Sequence, residues 1–166
     1  MITTTTMESP VGTLTLTARD GRLTRLHMDG QRHAPAGSPD GERDDAGLAP
    51  VVEQLEAYFA GSREAFDVPL DLAGTEFQRS VWAGLLEIPY GETMSYGELA
   101  RRVGRPGASR AVGLANGRNP VAIIVPCHRV IGADGKLVGF GGGLRRKRWL
   151  LELEARVDIE RTFAPD

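Results

Sequence analysis

The sequence predicts an α+β chain in two parts: a small N-terminal antiparallel-sheet/helix domain over residues 1–72, then a C-terminal domain of helix-turn-helix type over residues 73–166. Three observations carry that expectation. Alternating β-branched runs occur only before residue 30, and helical apolar spacing takes over from residue 48. Two short helices joined by a glycine-containing turn then fall inside a strongly basic segment.

Ile2 to Met7, Gly12 to Ala18 and Arg22 to Met28 are β-branched or alternating runs, with the turn formers Ser9-Pro10 and Asp20-Gly21 between them. They make an antiparallel meander. Gly, Pro, Asp and Ala dominate residues 30–47 without apolar periodicity, so a long mobile loop is expected there, and His33 within it is assigned no role. Leu48, Val51, Val52, Leu55, Tyr58 and Phe59 keep helical spacing and lay a helix across one face of the meander, ending at Gly61. Phe66 to Leu72 is a short extended linker.

Thr75 and Gln78 form a capping-box pattern at the head of a helix buried through Phe77, Val81, Trp82, Leu85 and Leu86, which ends before Pro89. Trp82 belongs to the core. After a turn at Tyr90-Gly91-Glu92, Ser95 and Glu98 open a second boxed helix carrying Tyr96, Leu99, Ala100 and Val103, stopped by Gly104. Arg105-Pro106-Gly107 connects it to a third helix, roughly Ala108 to Asn116, ending at Gly117.

Ala108, Ala111, Gly113 and Ala115 leave this third helix nearly bare. An ordinary helix is about 10–12 Å across and a DNA minor groove about 6 Å wide, so only a stripped helix with groove widening can sit there. Arg110, on its first turn, is open to three roles: phosphate contact, a side chain inserted into a groove, or a surface partner of Glu98 or another carboxylate.

Val121 to Val125 is a continuous apolar run that reads as a buried strand, and Pro126 stops it. Asn119 before Pro120 is a turn former whose amide can pin the segment that follows. Asp134-Gly135 reads as a hairpin turn and Val138 to Gly143 as a glycine-rich loop. Leu144 to Glu154 reads as a helix burying Leu144, Leu150, Leu151 and Leu153. Arg145, Arg146, Lys147 and Arg148 crowd its first turns against the helix dipole, which suggests anion contact.

The net charge of −2 hides an asymmetry. Residues 1–90 carry 7 Lys and Arg against 14 Asp and Glu, residues 91–150 carry 11 against 3, and residues 151–166 carry 2 against 5. A basic block between acidic ends is the footprint of a polyanion-binding module. No apolar run approaches the roughly 20 residues of a membrane span and no leader is evident, so no membrane partner is expected. An unpaired thiol suits a reducing cytoplasm.

Pro126-Cys127-His128-Arg129-Val130 holds the sole cysteine beside one of three histidines. One Cys and scattered His cannot easily furnish a structural zinc site, which leaves a nucleophile or a small buried hydrophobe. A position just past a strand end favours the nucleophile. Neighbouring side chains of extended backbone point to opposite faces, so His128 reaches the thiol through a turn or, as we favour, through water.

Together, Pro126-Cys-His-Arg-Val130, Ser95-Tyr96-Gly97, Arg110-Ala-Val-Gly113, Asn119-Pro120, the glycine-rich loop and Glu154 resemble the O6-alkylguanine-DNA alkyltransferases over residues 74–154. The resemblance implies a ribonuclease H-like first domain and a winged helix-turn-helix-type second domain. It implies direct reversal of damage, in which the thiolate takes the alkyl group from O6-alkylguanine, or O4-alkylthymine, in double-stranded DNA and is consumed. Cys127 is then the acceptor, His128 the base acting through water, Glu154 its orienting partner, and Tyr96 the donor to the leaving base.

A target inside the duplex must be flipped out. By the same resemblance Arg110 is the inserted side chain, joined in DNA contact by Ser95, Ala111, Gly113, Asn116 and Arg118. Asn119, Pro126, Arg129, Val130, Phe140 and Gly141 form or support the lesion pocket. Phe140 stands where many members have tyrosine and Gly141 where some have serine, so backbone N–H groups must serve there. No metal and no cofactor is implied; the protein is expected to be a monomer without DNA that can assemble cooperatively on it. A non-enzymatic lesion binder of the same fold, and a Cys-His hydrolase, are the alternatives.

Overall fold

The computed structural model describes residues 1–31 and 41–163. Three strands form the expected meander: β1 (Ile2–Ser9), β2 (Gly12–Arg19) and β3 (Arg22–Met28), in the order β3-β2-β1 with β4 (Glu42–Arg43) added parallel to β1. Asp20 and Gly21 both have positive φ, 52° and 81°, between the paired Arg19 and Arg22; this is the primed two-residue turn that matches strand twist. Thr5 opposite Leu16 and Met7 opposite Leu14 face the core, whereas Thr6 opposite Thr15 lies on the other face.

Helix α1 (Asp45–Phe59) is capped by Asp44, whose carboxylate accepts from Gly47 N, and buries Leu48, Leu55 and Tyr58. The predicted loop over 30–47 is therefore shorter than expected. Its last residues pair with β1 and open α1, because Asp44 N also donates to Thr4 O at 2.9 Å. Residues 32–40, with His33 and the expected mobility, lie outside the described residues.

The open edge of β3 is covered by two chain segments. Leu23 N donates to Pro69 O at 2.8 Å and Asp71 N to Leu23 O at 3.0 Å, which lays the linker along the edge. Further along, Leu26 N donates to Pro120 O at 2.9 Å and Ala122 N to Leu26 O at 3.1 Å. The sheet is thereby capped against further pairing and tied to the segment that leads into the cysteine.

Helix α2 (Glu76–Leu86) has both bonds of the Thr75–Gln78 capping box. Trp82 is core, its indole N–H donating to Ala115 O at 2.9 Å. Helices α3 (Tyr96–Arg102) and α4 (Ser109–Gly117) make the expected pair. Ser95 caps α3 by accepting from Glu98 N, but Glu98 turns outward to Arg102 instead of completing a box. A two-residue parallel ladder not foreseen from sequence, β5 (Met94–Ser95) with β6 (Val130–Ile131), fastens the start of α3 to the residues after the cysteine.

Three further expectations are corrected. Val121–Val125 is buried throughout but forms turns rather than a strand, with one isolated bridge to Leu26; periodicity cannot separate a buried strand from a buried turn. The Asp134-Gly135 turn forms, closed by Gly132 N to Lys136 O, and no strand follows it among the described residues. Helix α5 runs from Leu144 to Thr162, well past Glu154, and its buried stripe is Lys147, Leu150, Leu153, Glu154 and Val157; Leu144 is 48% exposed.

Candidate active site

Backbone geometry presents Cys127. Pro126, at φ −82° and ψ 64°, centres an inverse γ-turn closed by Cys127 N to Val125 O at 2.8 Å, a conformation the proline ring favours. Ile123, at φ 72°, centres a second three-residue turn closed by Ile124 N to Ala122 O at 2.8 Å. Positive φ at a β-branched residue costs about 1–3 kcal/mol and persists only where surroundings enforce it. Asn119 does so: its amide donates to Val125 O at 2.8 Å and accepts from Val121 N at 3.0 Å, supplying in one buried side chain the ladder that a partner strand would give.

Cys127 opens a 3-10 turn, Cys127–Arg129, and is 6% exposed. Burial pushes its thiol pKa up, offset in part by Asn119 and by the Lys147 charge. The resting thiol is therefore held protonated within the wall of the site. The thiolate that the resemblance implies as the attacking species is therefore not its resting form.

His128 is wholly buried, with Nε2 2.6 Å from Glu154 Oε2. Burial drives its pKa down, against the Glu154 bond and charge, and Arg129 and Lys147 add to the lowering, so the imidazole rests neutral. With Nε2–H donating to the carboxylate, Nδ1 is an acceptor, and it is buried without a hydrogen-bond partner among the described residues.

Glu154 collects donors from four places: His128, Arg129 Nε at 2.8 Å and NH2 at 3.1 Å, Tyr58 OH at 2.6 Å, and Gly91 N at 3.2 Å. Burial would raise its pKa, but the His128 hydrogen bond and the bonds and charge of Arg129 bring it down to about 2. Arg129 is spent on this carboxylate and on Ile88 O at 2.7 Å, with its guanidinium over Tyr90; it supports the site from behind. A cavity of about 500 Å³ lined by Phe66, Ile123, Pro126 and Arg129 lies in this region, and Cys127 does not line it.

The Tyr96 hydroxyl donates to Val138 O at 3.0 Å, and its pKa is raised by burial and by the facing Cys127. Val138 O also receives the Lys147 ammonium at 2.8 Å, and Lys147 donates further to Val130 O at 2.5 Å. The same lysine lies 6.0 Å from the Tyr96 ring centroid. Lys147 is 0% exposed, with its pKa lowered to about 8 by burial. The expected anion contact fails for this residue, whose donors go to two carbonyls, whereas Arg146 meets an anion within the chain, clasping Asp29 at 2.7 Å. Lys147 is a buried residue of this site that sequence reasoning missed, although it stands seven positions before Glu154 on the same helical face.

The glycine-rich loop packs close. A Cβ on Gly142 would fall 2.8 Å from the Phe140 ring and 2.9 Å from Met28 Sδ, so only glycine lets the loop lie against both. Gly141 is half-buried beside them.

On α4, Arg110, Ala111 and Arg118 are exposed, and Gly113 lies against the Tyr96 ring. Glu98 pairs with Arg102, and Arg110 makes no ion pair among the described residues. Two expectations for this helix fail. Ala115 is buried against Trp82 rather than on the bare face, and Asn116, expected among the DNA contacts, is 3% exposed with its amide 3.4 Å from Cys127 O. Their positions follow from helical spacing with Val112, which is itself buried.

Among the described residues no group of three or more His, Cys, Asp or Glu could hold a metal ion, and no helix is long and apolar enough to cross a membrane.

Comparison with known proteins extends this geometry. Residues 2–72 match the family described as 6-O-methylguanine DNA methyltransferase, ribonuclease-like domain, and residues 76–156 match its DNA binding domain. The methylated-DNA--protein-cysteine methyltransferase of Mycolicibacterium paratuberculosis is 60% identical over 156 residues, covering 94% of each chain. That of Methanosarcina acetivorans is 53% identical over 148 residues, covering 89% of this chain and 94% of the other. The crystal structure of Mycobacterium tuberculosis OGT in complex with DNA superposes with a TM-score of 0.89 at 57% identity, covering 93% of this chain and 94% of that one.

Proposed function

The chain belongs to the 6-O-methylguanine DNA methyltransferase family, and from that premise we propose that it repairs alkylated DNA by direct reversal, with Cys127 as the atom that is spent. The Cys127 sulfur attacks the alkyl carbon of O6-alkylguanine as the carbon–O6 bond breaks. The bonding pair leaves with the purine, and the sulfur keeps the alkyl group as a thioether. The thiol proton passes through water to His128 Nδ1, and the imidazolium gives up a proton in turn as the departing purine takes one at its ring through the Tyr96 hydroxyl, so one proton moves from sulfur to purine and charge balances over the single turnover.

The buried dyad beside the sulfur carries this reading. A neutral imidazole whose Nε2 is fixed by an ionised carboxylate, and whose Nδ1 is an unpartnered acceptor on the residue that follows the protonated thiol in the same turn, is suited to remove that proton through water. Tyr96, released from Val138 O, donates to the departing base, which then need not carry full negative charge. Asn119 and Pro126 hold the turn, Val130 offers backbone contacts, and Phe140 with Gly141 forms the far wall of the pocket.

For DNA, the exposed face of α4 enters the minor groove, with Arg110 inserted where the base leaves the stack. Arg118 and Ser95 flank it, and the basic segment 91–150 supplies the phosphate attraction. The substrate is double-stranded DNA carrying O6-alkylguanine or O4-alkylthymine. The protein works in the cytoplasm, as a monomer until DNA gathers several copies, and its two domains divide at residues 72 and 73. The matched ranges 2–72 and 76–156 support that boundary.

The test is a mass measurement after incubation with O6-methylguanine duplex. One methyl group on the Cys127 peptide, at one equivalent and no more, is the expected result. Repeated turnover would mark a hydrolase, and binding without an adduct a lesion-recognition protein.

A further inference from the structure

The first domain reaches into the reaction centre at one atom. Tyr58, on α1 and wholly buried, donates its hydroxyl to Glu154 Oε2 at 2.6 Å across 96 residues of sequence, and this is the same oxygen that faces His128 Nε2 at 2.6 Å. Arg129 NH2 approaches that oxygen as well, at 3.1 Å. Two carboxylate oxygens offer about four acceptor positions, and three donors converge on this one alone, so they share its charge.

We propose that Tyr58 is a positioning residue for alkyl transfer: by occupying Glu154 Oε2 it limits how firmly Glu154 holds a proton on His128, and so keeps Nδ1 free to accept one. This rests on the role given to His128 above. Ionised groups alone would make the dyad too strong. An imidazole fixed as imidazolium has no acceptor left for the thiol proton, whereas a neutral donor on the shared oxygen weakens the pull without adding charge.

Tyr58 is suited to that task. Burial and the Glu154 charge push its own pKa well up, so it donates throughout the working range. Its ring is wedged among Phe59, Phe66 and Tyr90, with centroids 5.5, 5.4 and 6.1 Å away, which fixes the hydroxyl. The charged and titratable groups around His128 are Glu154 and Lys147 from α5, Arg129 and Cys127 from its own turn, Tyr58 from α1, and Tyr90 from the loop after α2. Of these, Tyr58 is the one the first domain contributes.

The direction of the effect follows. In Tyr58→Phe the ring stays and one donor goes, Oε2 turns more of its charge to Nε2, and protonated His128 is favoured. Followed by NMR in the full-length protein, His128 should titrate at higher pH than in the parent. Carboxymethylation of Cys127 should fall at least threefold at pH 6 while matching the parent at high pH. A folded Tyr58→Phe with an unmoved His128 titration overturns the proposal.

Should that variant not fold, protein made with 3-fluorotyrosine, whose hydroxyl donates more strongly, must move the His128 titration to lower pH. No movement there overturns the proposal equally. Neither measurement uses DNA, so failure of alkyl transfer and failure of this inference are told apart.

Discussion

Lys147 and Val130 are joined by a hydrogen bond of 2.5 Å in which a wholly buried ammonium holds the carbonyl of the strand residue that follows the cysteine turn. The same ammonium holds Val138 O, so one side chain ties the residue after the cysteine turn to the start of the glycine-rich loop. Lys147→Met keeps most of the volume and takes this donor from the buried Val130 carbonyl, at about 1–3 kcal/mol, while Val138 O keeps the Tyr96 hydroxyl. It also removes a positive charge that favours the thiolate. We expect a lower urea midpoint at unchanged slope, and carboxymethylation of Cys127 slowed at least about threefold at fixed pH. Unchanged thiol reactivity would remove Lys147 from the site.

Acid should unfold the protein in two stages that the Glu154 cluster sets. His128 has a folded pKa below its ordinary 6.5, so the unfolded chain binds the extra proton first and stability begins to fall as pH drops through 6.5. Glu154 is held at about 2 against an ordinary 4.5; its contribution is complete above 4.5 and is lost as pH falls toward 2. That second loss is worth about 3 kcal/mol. Urea midpoints measured from pH 8 to pH 3 should decline in that order. A flat profile from pH 7 to pH 4.5 would show that His128 is not perturbed as described, and one flat from pH 4.5 to pH 3 would show the same for Glu154.

Much of the architecture was legible in the chain because local signals agreed with the global fold. Asp20-Gly21, the Thr75–Gln78 box and the Gly104 stop each act within a few residues, and each forms where expected. What was missed is non-local. Val121–Val125 looks like a strand until Asn119 takes over its hydrogen bonds, and nothing in the run itself announces that substitution. Lys147 reads as one more surface cation among Arg145, Arg146 and Arg148 until its helical phase with Glu154 is followed. Tyr58 looks like core, and it is; its hydroxyl gains a partner only when the second domain folds against α1.

Asn119→Ala should loosen the cysteine turn more than its size suggests. The change orphans the buried Val121 N–H, which costs about 1–3 kcal/mol, takes one of two donors from Val125 C=O, and withdraws the enforcement that keeps Ile123 at positive φ. Transfer should fall by about tenfold or more while affinity for undamaged duplex stays within about twofold, because the exposed face of α4 is untouched. Gel-shift affinity and single-turnover methyl transfer, measured on the same preparation, separate the two. Parallel loss of both would show that the turn also shapes the DNA surface.

Cys127→Ala and Arg110→Ala should divide chemistry from flipping. Cys127 is buried and contributes little exposed surface, so its loss ends transfer and leaves duplex affinity largely intact. Arg110 is exposed on α4 and far from the dyad in role; its removal deletes one phosphate or groove contact at about 1–3 kcal/mol and lowers the salt slope of binding by about one unit. The thiol of Arg110→Ala should still react with a haloacetamide at the parental rate. It should also still take a methyl group from the free base O6-methylguanine, which needs no flipping. If Arg110→Ala lost activity toward the free base as strongly as toward duplex, its effect would lie in the pocket, and the division of labour between α4 and the cysteine turn would have to be redrawn.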